Sequence, residues 1–336
     1  MKKLFILIVL SLISIIYTGC NKNQYKKIVI AEVAHSVFYA PQYAAIELGY
    51  FKEEGLEVEL VNANGADKVM AALLSKDAQI GLMGPEASIY VYKGGQKNYA
   101  INFAQITKRD GSFIVAREKE DDFKIEDLKG KSILGGRKGG MPEMTLEYTL
   151  KQAGLLVGQD DESVLGTLGV LVRTDIQFAA MAGAFTSGEG DYTTLFEPTA
   201  TQIEKEGKGY VVASVGELSG EVPYTAYCAL KDYINENEEI IEKVTRAIYK
   251  GQQWVSTHSA KEIATVVSPF FTEISIDDLT IVMQRHIDID AWKTTPHLYE
   301  KDFNKLMDIM IEAKELDSKE PYDKLVTMKY ADLVVK

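Results

Sequence analysis

Four short stretches of this chain put polar and aromatic side chains where a strand would end and a helix begin. They are Ala34-His35-Ser36-Val37-Phe38-Tyr39, Met83-Gly84-Pro85-Glu86, Gly136-Arg137-Lys138-Gly139-Gly140-Met141 and Phe196-Glu197-Pro198. In open α/β sheets, ligands bind outside the carboxyl ends of strands, near helix N-termini. Candidate ligand-binding residues are therefore Ser36, Phe38, Tyr39, Met83, Glu86, Gly136, Arg137, Gly139, Gly140, Met141 and Glu197, with Tyr224 beside Pro223 and Thr225. Phe38 and Tyr39 can stack on a flat ligand, or staple the next helix to the core with Tyr43. Glu86 and Glu197 each adjoin a proline. They can accept hydrogen bonds from ring nitrogens or amines, or simply complement a helix N-terminus. The glycines from Gly135 to Gly140 suit a cradle of backbone N–H groups. Their spacing fits neither the dinucleotide fingerprint nor the phosphate loop. Arg137 and Lys138 can neutralise an anion there, or stand as solvated loop charges.

Nothing comparable points to catalysis. His35, His258, His286 and His297 are scattered without metal-ligand spacing. His286-Ile287-Asp288-Ile289-Asp290 reads as a surface helix end, and there is no nucleophile elbow and no C-x-x-C. No catalytic residue, metal or cofactor is expected. The net charge of −12, with no basic cluster, argues against nucleic acid as a partner. An apolar share of 46% is enough for a packed core.

The elements that must hold these edges alternate between strand and helix, which predicts an α/β architecture. Lys27 to Ala31 reads as a strand, and Pro41 to Leu48 as a helix stopped by Gly49. Leu56, Val58 and Leu60 alternate with glutamates as a second strand. A helix over Ala66 to Ser75, a strand from Gln79 to Met83, a helix opened by Pro85 and a strand from Tyr99 to Gln105 follow. The order then recurs. Lys131 to Gly135 leads through the glycine loop to a helix started by Pro142, with Leu146, Leu150 and Ala153 as its apolar stripe. Asp191 to Ala200 mirrors Asp77 to Ala87, each a strand running into a proline-started helix. Each follows an amphipathic helix, the second carrying Phe178, Met181, Ala182 and Phe185. Two such pairings in one order predict two similar α/β lobes. The first spans 27–111 plus 230–336. The second spans 112–229 and includes the hinge crossings, expected at Ser112 to Glu118 and Tyr224 to Leu230. Ile240, Ile241, Val244, Ile248 and Val255 keep helical spacing, as do Phe303, Leu306, Met310 and Ile311. These helices are expected to complete the first lobe. Two crossings between two lobes describe a hinged cleft, onto which all four edges would converge.

The N-terminus carries a separate message. Lys2 and Lys3 precede an apolar run, Leu4 to Ile16, that is shorter than the ~20 residues a spanning helix needs. Tyr17-Thr18-Gly19-Cys20 follows and resembles the cleavage box of bacterial lipoprotein signals. Tyr17 departs from the leucine usual at its position. That resemblance implies removal of residues 1–19, lipid on Cys20, a tether over 20–26, and a membrane-anchored location on the outer face of a bacterial cytoplasmic membrane. Cys228 then stands alone in an apolar run and is expected to be a buried thiol.

From Phe38-Tyr39-Ala40-Pro41-Gln42-Tyr43 through Gly49-Tyr50-Phe51-Lys52-Glu53-Glu54-Gly55-Leu56 the chain resembles the solute-binding proteins of ABC importers. The branch in question includes the thiamine-pyrimidine, sulfonate, taurine and nitrate binders. Asp77 to Ala87, Asp127-Leu128-Lys129-Gly130-Lys131 and Phe196-Glu197-Pro198 fit the same pattern, over roughly Lys27 to Val255. The resemblance implies a bilobed periplasmic-binding-protein fold of type II character and no enzymatic activity. It also implies a small-molecule ligand in the cleft, a permease with its cytoplasmic ATPase as partner, and a monomer. The aromatic edge and the carboxylates favour a heteroaromatic ligand such as a thiamine-precursor pyrimidine. Arg137, Lys138 and the glycine amides keep a sulfonate or similar anion open. An enzyme of pyrimidine synthesis on the same fold is the alternative of a different class.

Overall fold

The computed structural model describes residues 25–336, so the leader, Cys20 and most of the expected tether lie outside the described residues. Two mixed sheets carry the architecture. The first has five strands in the order β2-β1-β3-β11-β4: β1 Lys26–Glu32, β2 Leu56–Asn62, β3 Ile80–Met83, β4 Ala100–Thr107 and β11 Thr225–Leu230. The second has six in the order β10-β5-β9-β6-β8-β7: β5 Ser112–Ala116, β6 Ser132–Leu134, β7 Val157–Gln159, β8 Val170–Arg173, β9 Tyr192–Phe196 and β10 Tyr210–Ser214. β1 runs parallel to β2 and β3, and β6 runs parallel to β8 and β9. Parallel neighbours need a crossover, and helices supply it. Helix Ala40–Glu47, with Pro41 in its first turn, and helix Met141–Gln152, with Pro142 in its first turn, are the two that follow the leading strands. β1 therefore sits beside β3 as β6 sits beside β9, so the segments paired by the internal repeat hold corresponding places.

The passages between the sheets lie just ahead of the segments expected to make them. Ser112–Ala116 is itself β5, antiparallel to β9 and β10, and Thr225–Leu230 is β11, antiparallel to β3 and β4. Both are apolar runs with every residue buried, which suits an interior strand. The chain changes sheets in residues 108–111 and 215–224. Phe178 likewise differs from its reading: it lies in a short 3-10 turn ahead of helix Met181–Thr186 and is exposed.

Alternate residues of β5 and β6 face opposite sides, as strand geometry requires. Ile114 and Ile133 pack with Leu146, Leu150 and Val172, whereas Val115 and Leu134 pack with Met181, Phe185 and Leu195. The largest core joins the first sheet to the C-terminal helices through Ile241, Val244, Ile248, Phe303, Leu306 and Met310. Gly251 allows helix Glu238–Thr257 to lie against helix Ala40–Glu47, since a Cβ there would stand 2.3 Å from the Pro41 carbonyl oxygen. Cys228 is buried in β11, which pushes its thiol up to about 12. Among the described residues no helix is long and apolar enough to cross a membrane.

Candidate functional site

The loop after β1 turns at Ser36, whose Oγ accepts the Phe38 N–H at 3.2 Å and caps a single 3-10 turn, Val37–Tyr39. That turn drives Phe38 inward until only 2% of it is exposed. Its ring lies 5.3 Å from His286, 5.8 Å from Tyr224 and 6.4 Å from Phe196, centroid to centroid. A Cβ on Gly111 would stand 2.8 Å from the ring, so the glycine of the first passage is what lets Phe38 seat there. Phe38 thus packs where both sheets and both passages meet. Tyr39 is also buried, beside Thr225, and burial pushes its phenol well above the ordinary range. Behind this turn Glu32 is buried and receives Gln42 Nε2 at 2.9 Å and the Tyr43 hydroxyl at 3.0 Å. His35 faces it at 2.7 Å through Nδ1 and reaches the Phe270 carbonyl at 2.8 Å through Nε2.

At the end of β3, Met83 belongs to a small core with Ala31, Val69 and Leu73. Three residues on, Glu86 begins helix Glu86–Lys93 and folds its carboxyl back over Gly84, where a Cβ would stand 2.0 Å from Oε2. Glu86 is 5% exposed, and Oε2 has no hydrogen-bond partner. Burial raises its pKa to about 7, against the lowering pull of its own backbone N–H and the Arg137 charge.

Across from it, the glycine loop leaves β6. Gly136 and Gly139 take left-handed φ values of +87° and +72°, and Gly140 leads into helix Met141–Gln152. The Gly139 N–H is already used, donating to Glu143 Oε2 at 3.0 Å. The Gly139 carbonyl accepts the Tyr90 hydroxyl of the first lobe at 3.2 Å. Arg137 lies 3.8 Å from Asp67, also of the first lobe, with 57% of its side chain exposed. Met141 is buried in the large core. Between the lobes these elements enclose a cavity of about 490 Å³. Ala66, Met70, Ala87 and Val91 give it apolar wall, and Asp67, Glu86, Tyr90, Arg137, Lys138 and Glu315 give it polar groups.

Glu197, at the end of β9, has a different job in this fold. Its Oε2 accepts the Thr201 N–H at 2.9 Å, and its Oε1 accepts Thr201 Oγ1 at 2.9 Å and Arg285 Nη1 at 2.7 Å. It caps helix Thr199–Lys205 and ties it to helix Ile276–Asp288 of the C-terminal third. Arg285 also pairs with Glu204. Tyr224, in the second passage, is buried and turns its hydroxyl toward a buried carboxyl. That carboxyl is Asp110, whose Oδ1 accepts the Ser112 N–H and hydroxyl while its other oxygen is left to Tyr224. Burial pushes Asp110 up to about 7. His286 stacks on Phe38 and Trp292, donates Nδ1–H to the Val282 carbonyl and has no partner on Nε2; burial lowers its pKa to about 4.

The fold therefore gathers the sequence candidates into two groups. Phe38, Tyr39 and Tyr224 cluster at the inner junction, with Ser36 turning the loop that carries them. Glu86, Arg137 and Gly139 line the cavity, flanked by Gly136 and Gly140. The Glu86 charge adds to the burial that raises the phenols of Tyr39 and Tyr224. Met83 and Met141 lie in cores, and Glu197 is engaged by Arg285. Asp67, Tyr90, Asp110, Arg285 and Glu315 were missed as site residues, and His286, expected at a surface helix end, is instead fully buried within helix Ile276–Asp288. Only Asp110 had a local signal, the Asp-Gly-Ser turn pattern. Among the described residues no cluster of His, Cys, Asp and Glu could hold a metal ion.

Comparison with known proteins follows the same lines. Residues 37–262 match the family described as NMT1/THI5 like. The chain is 44% identical over 308 residues to the Bacillus subtilis (strain 168) protein named "Putative binding protein YtlA", covering 92% of this chain and 90% of that one. Its fold superposes on the nitrate-binding protein NrtA of Synechocystis PCC 6803 with a TM-score of 0.73 at 14% identity, over 93% and 90% of the two chains. With the aliphatic sulphonate binding protein SsuA of Escherichia coli the TM-score is 0.67 at 15% identity, over 89% and 97%. The architecture is the periplasmic-binding-protein fold, and the chain belongs to the NMT1/THI5-like family.

Proposed function

We propose that this chain is the extracytoplasmic solute-binding component of an ABC importer. It takes a small molecule between its lobes and hands it to a permease driven by a separate ATPase. The observation that carries this reading is the interlobe cavity of about 490 Å³, whose walls come from both lobes and whose size suits one small molecule. The names of the relatives, which speak of binding, support receptor over enzyme. On this reading the protein works as a monomer, anchored through lipid on Cys20 at the outer face of the cytoplasmic membrane. Its ligand is a heteroaromatic such as a thiamine-precursor pyrimidine. The carboxyl of Glu86 at the cavity wall, whose Oε2 has no partner, favours a ligand that carries N–H donors. A sulfonate or other small anion is the second reading, resting on Arg137 and Lys138 at the cavity wall.

The test is mass spectrometry of small molecules released on denaturing the purified protein, followed by calorimetry with the molecule found. The expected result is a pyrimidine that binds unchanged. Chemical turnover of it would replace receptor with enzyme. Absence of any small molecule that binds would remove the receptor reading altogether.

A further inference from the structure

Glu86 is the one buried carboxylate among the cavity's polar groups, and its Oε2 has no donor. Leaving such an oxygen dry and unpaired is costly, and a charge-assisted N–H donor is the partner that removes the cost. No donor on the cavity wall, Lys138 included, reaches that oxygen. The Tyr90 hydroxyl is spent on the Gly139 carbonyl, and the Arg137 guanidinium faces Asp67. The carboxyl cannot turn out of the way freely, because it is seated over Gly84 at the first residue of an eight-residue helix. Asp67 and Glu315 add two further carboxylates to the same wall, so with Glu86 ionised the carboxylates outnumber Arg137 and Lys138 by one. We propose that Glu86 is the specificity-determining acceptor of this cavity, and that its ligand is an organic cation whose planar N–H donors, of amidinium type, pair with the Glu86 carboxylate. This rests on the receptor reading above and narrows its ligand class.

Burial raises Glu86 and Arg137 of the facing lobe pulls it down, while Glu86 in turn raises the phenols of Tyr39, Tyr90 and Tyr224; the other charged groups on the cavity wall are Lys138, Asp67 and Glu315. With Glu86 raised to about 7 by burial, a cation binds its ionised form, so cation affinity must rise as pH climbs through neutrality.

Three isosteric probes test this by calorimetry: benzamidine (cation), benzamide (neutral) and benzoate (anion). Benzamidine is expected to bind at least about tenfold more tightly than benzoate, and to tighten from about pH 6 to about pH 8. In Glu86→Gln the preference for benzamidine over benzoate should collapse to within about threefold. Benzoate binding as well as benzamidine overturns the proposal, as does a Glu86→Gln variant that keeps the cation preference. So does failure of all three to bind at millimolar concentration. The probe order and its pH response are read on the unmodified protein, so the test survives a variant that does not fold. A released natural ligand that proves anionic leaves the receptor reading intact and ends this one.

Discussion

Phe38 stands between a strand end and a proline-started helix, where sequence spacing leaves a ring free to face either the cleft or the core. The deciding partners are Gly111, Phe196, Tyr224 and His286, none of them local, so no periodicity around residue 38 could have settled the direction. With its ring packed on all sides, Phe38→Ala is expected to cost about 3–5 kcal/mol of stability. Urea denaturation measures it, and a loss under about 1 kcal/mol would mean that the ring is not part of the core. His35 gives a second residue-scale prediction. Both its ring nitrogens face acceptors, Glu32 and the Phe270 carbonyl, an arrangement complete only for the imidazolium. The hydrogen bond that His35 donates to the Glu32 carboxylate raises its pKa despite the desolvation that opposes it. A raised folded-state pKa stabilises below the unfolded value of about 6.5 and is lost as pH rises through the folded one. His35→Gln should therefore lower the melting temperature more at about pH 6 than at about pH 9. An equal or reversed difference counts against a charged His35.

At the scale of elements, strands and proline-started helices could be read in advance because their signals are local: alternation in β2, Pro41 and Pro142 at helix starts, Gly49 at a stop. The joining of elements could not. Helix Thr199–Lys205 is held to helix Ile276–Asp288 by Glu197 and Arg285, which are 88 residues apart. Removing Arg285 leaves the Glu197 charge buried without its cation. Arg285→Met is expected to destabilise by about 3–5 kcal/mol, and adding Glu197→Gln should restore a large part. The two variants and their combination form a double-mutant cycle under urea. Simple additivity would show that the pair does not act as a unit. The passages between the sheets illustrate the same limit. Their places were shifted by a few residues because Phe113-Ile114-Val115-Ala116 can be read as a link or a strand until β9 and β10 flank it.

At the scale of the molecule, the lobes meet through a large shared core at the hinge and through sparse polar contacts across the cavity. The Arg137–Asp67 pair is among the latter, at 3.8 Å with both side chains exposed. Exposed pairs contribute about 0–1 kcal/mol, so Arg137→Ala should leave the melting temperature nearly unchanged. A marked drop in a thermal scan would show that closure depends on that charge. The C-terminal third, in contrast, fastens the hinge firmly. Lys305 donates to the Ser219 and Glu221 carbonyls of the second passage, and the Lys108 N–H donates to Ala291 in the first.

β11 enters the first sheet between β3 and β4, although it comes after every strand of the second sheet. During synthesis from the N-terminus, a nascent chain that has reached residue 219 holds all six strands of one lobe and only four of the other. The later-written lobe can finish first, while the earlier one waits with the facing edges of β3 and β4 unpaired, an interval open to misassociation. A fragment of residues 112–219 should accordingly give a dispersed, cooperative NMR spectrum, and one of residues 25–107 should not. If the N-terminal fragment folds unaided, the missing strand is dispensable and vectorial order has no hold on this protein.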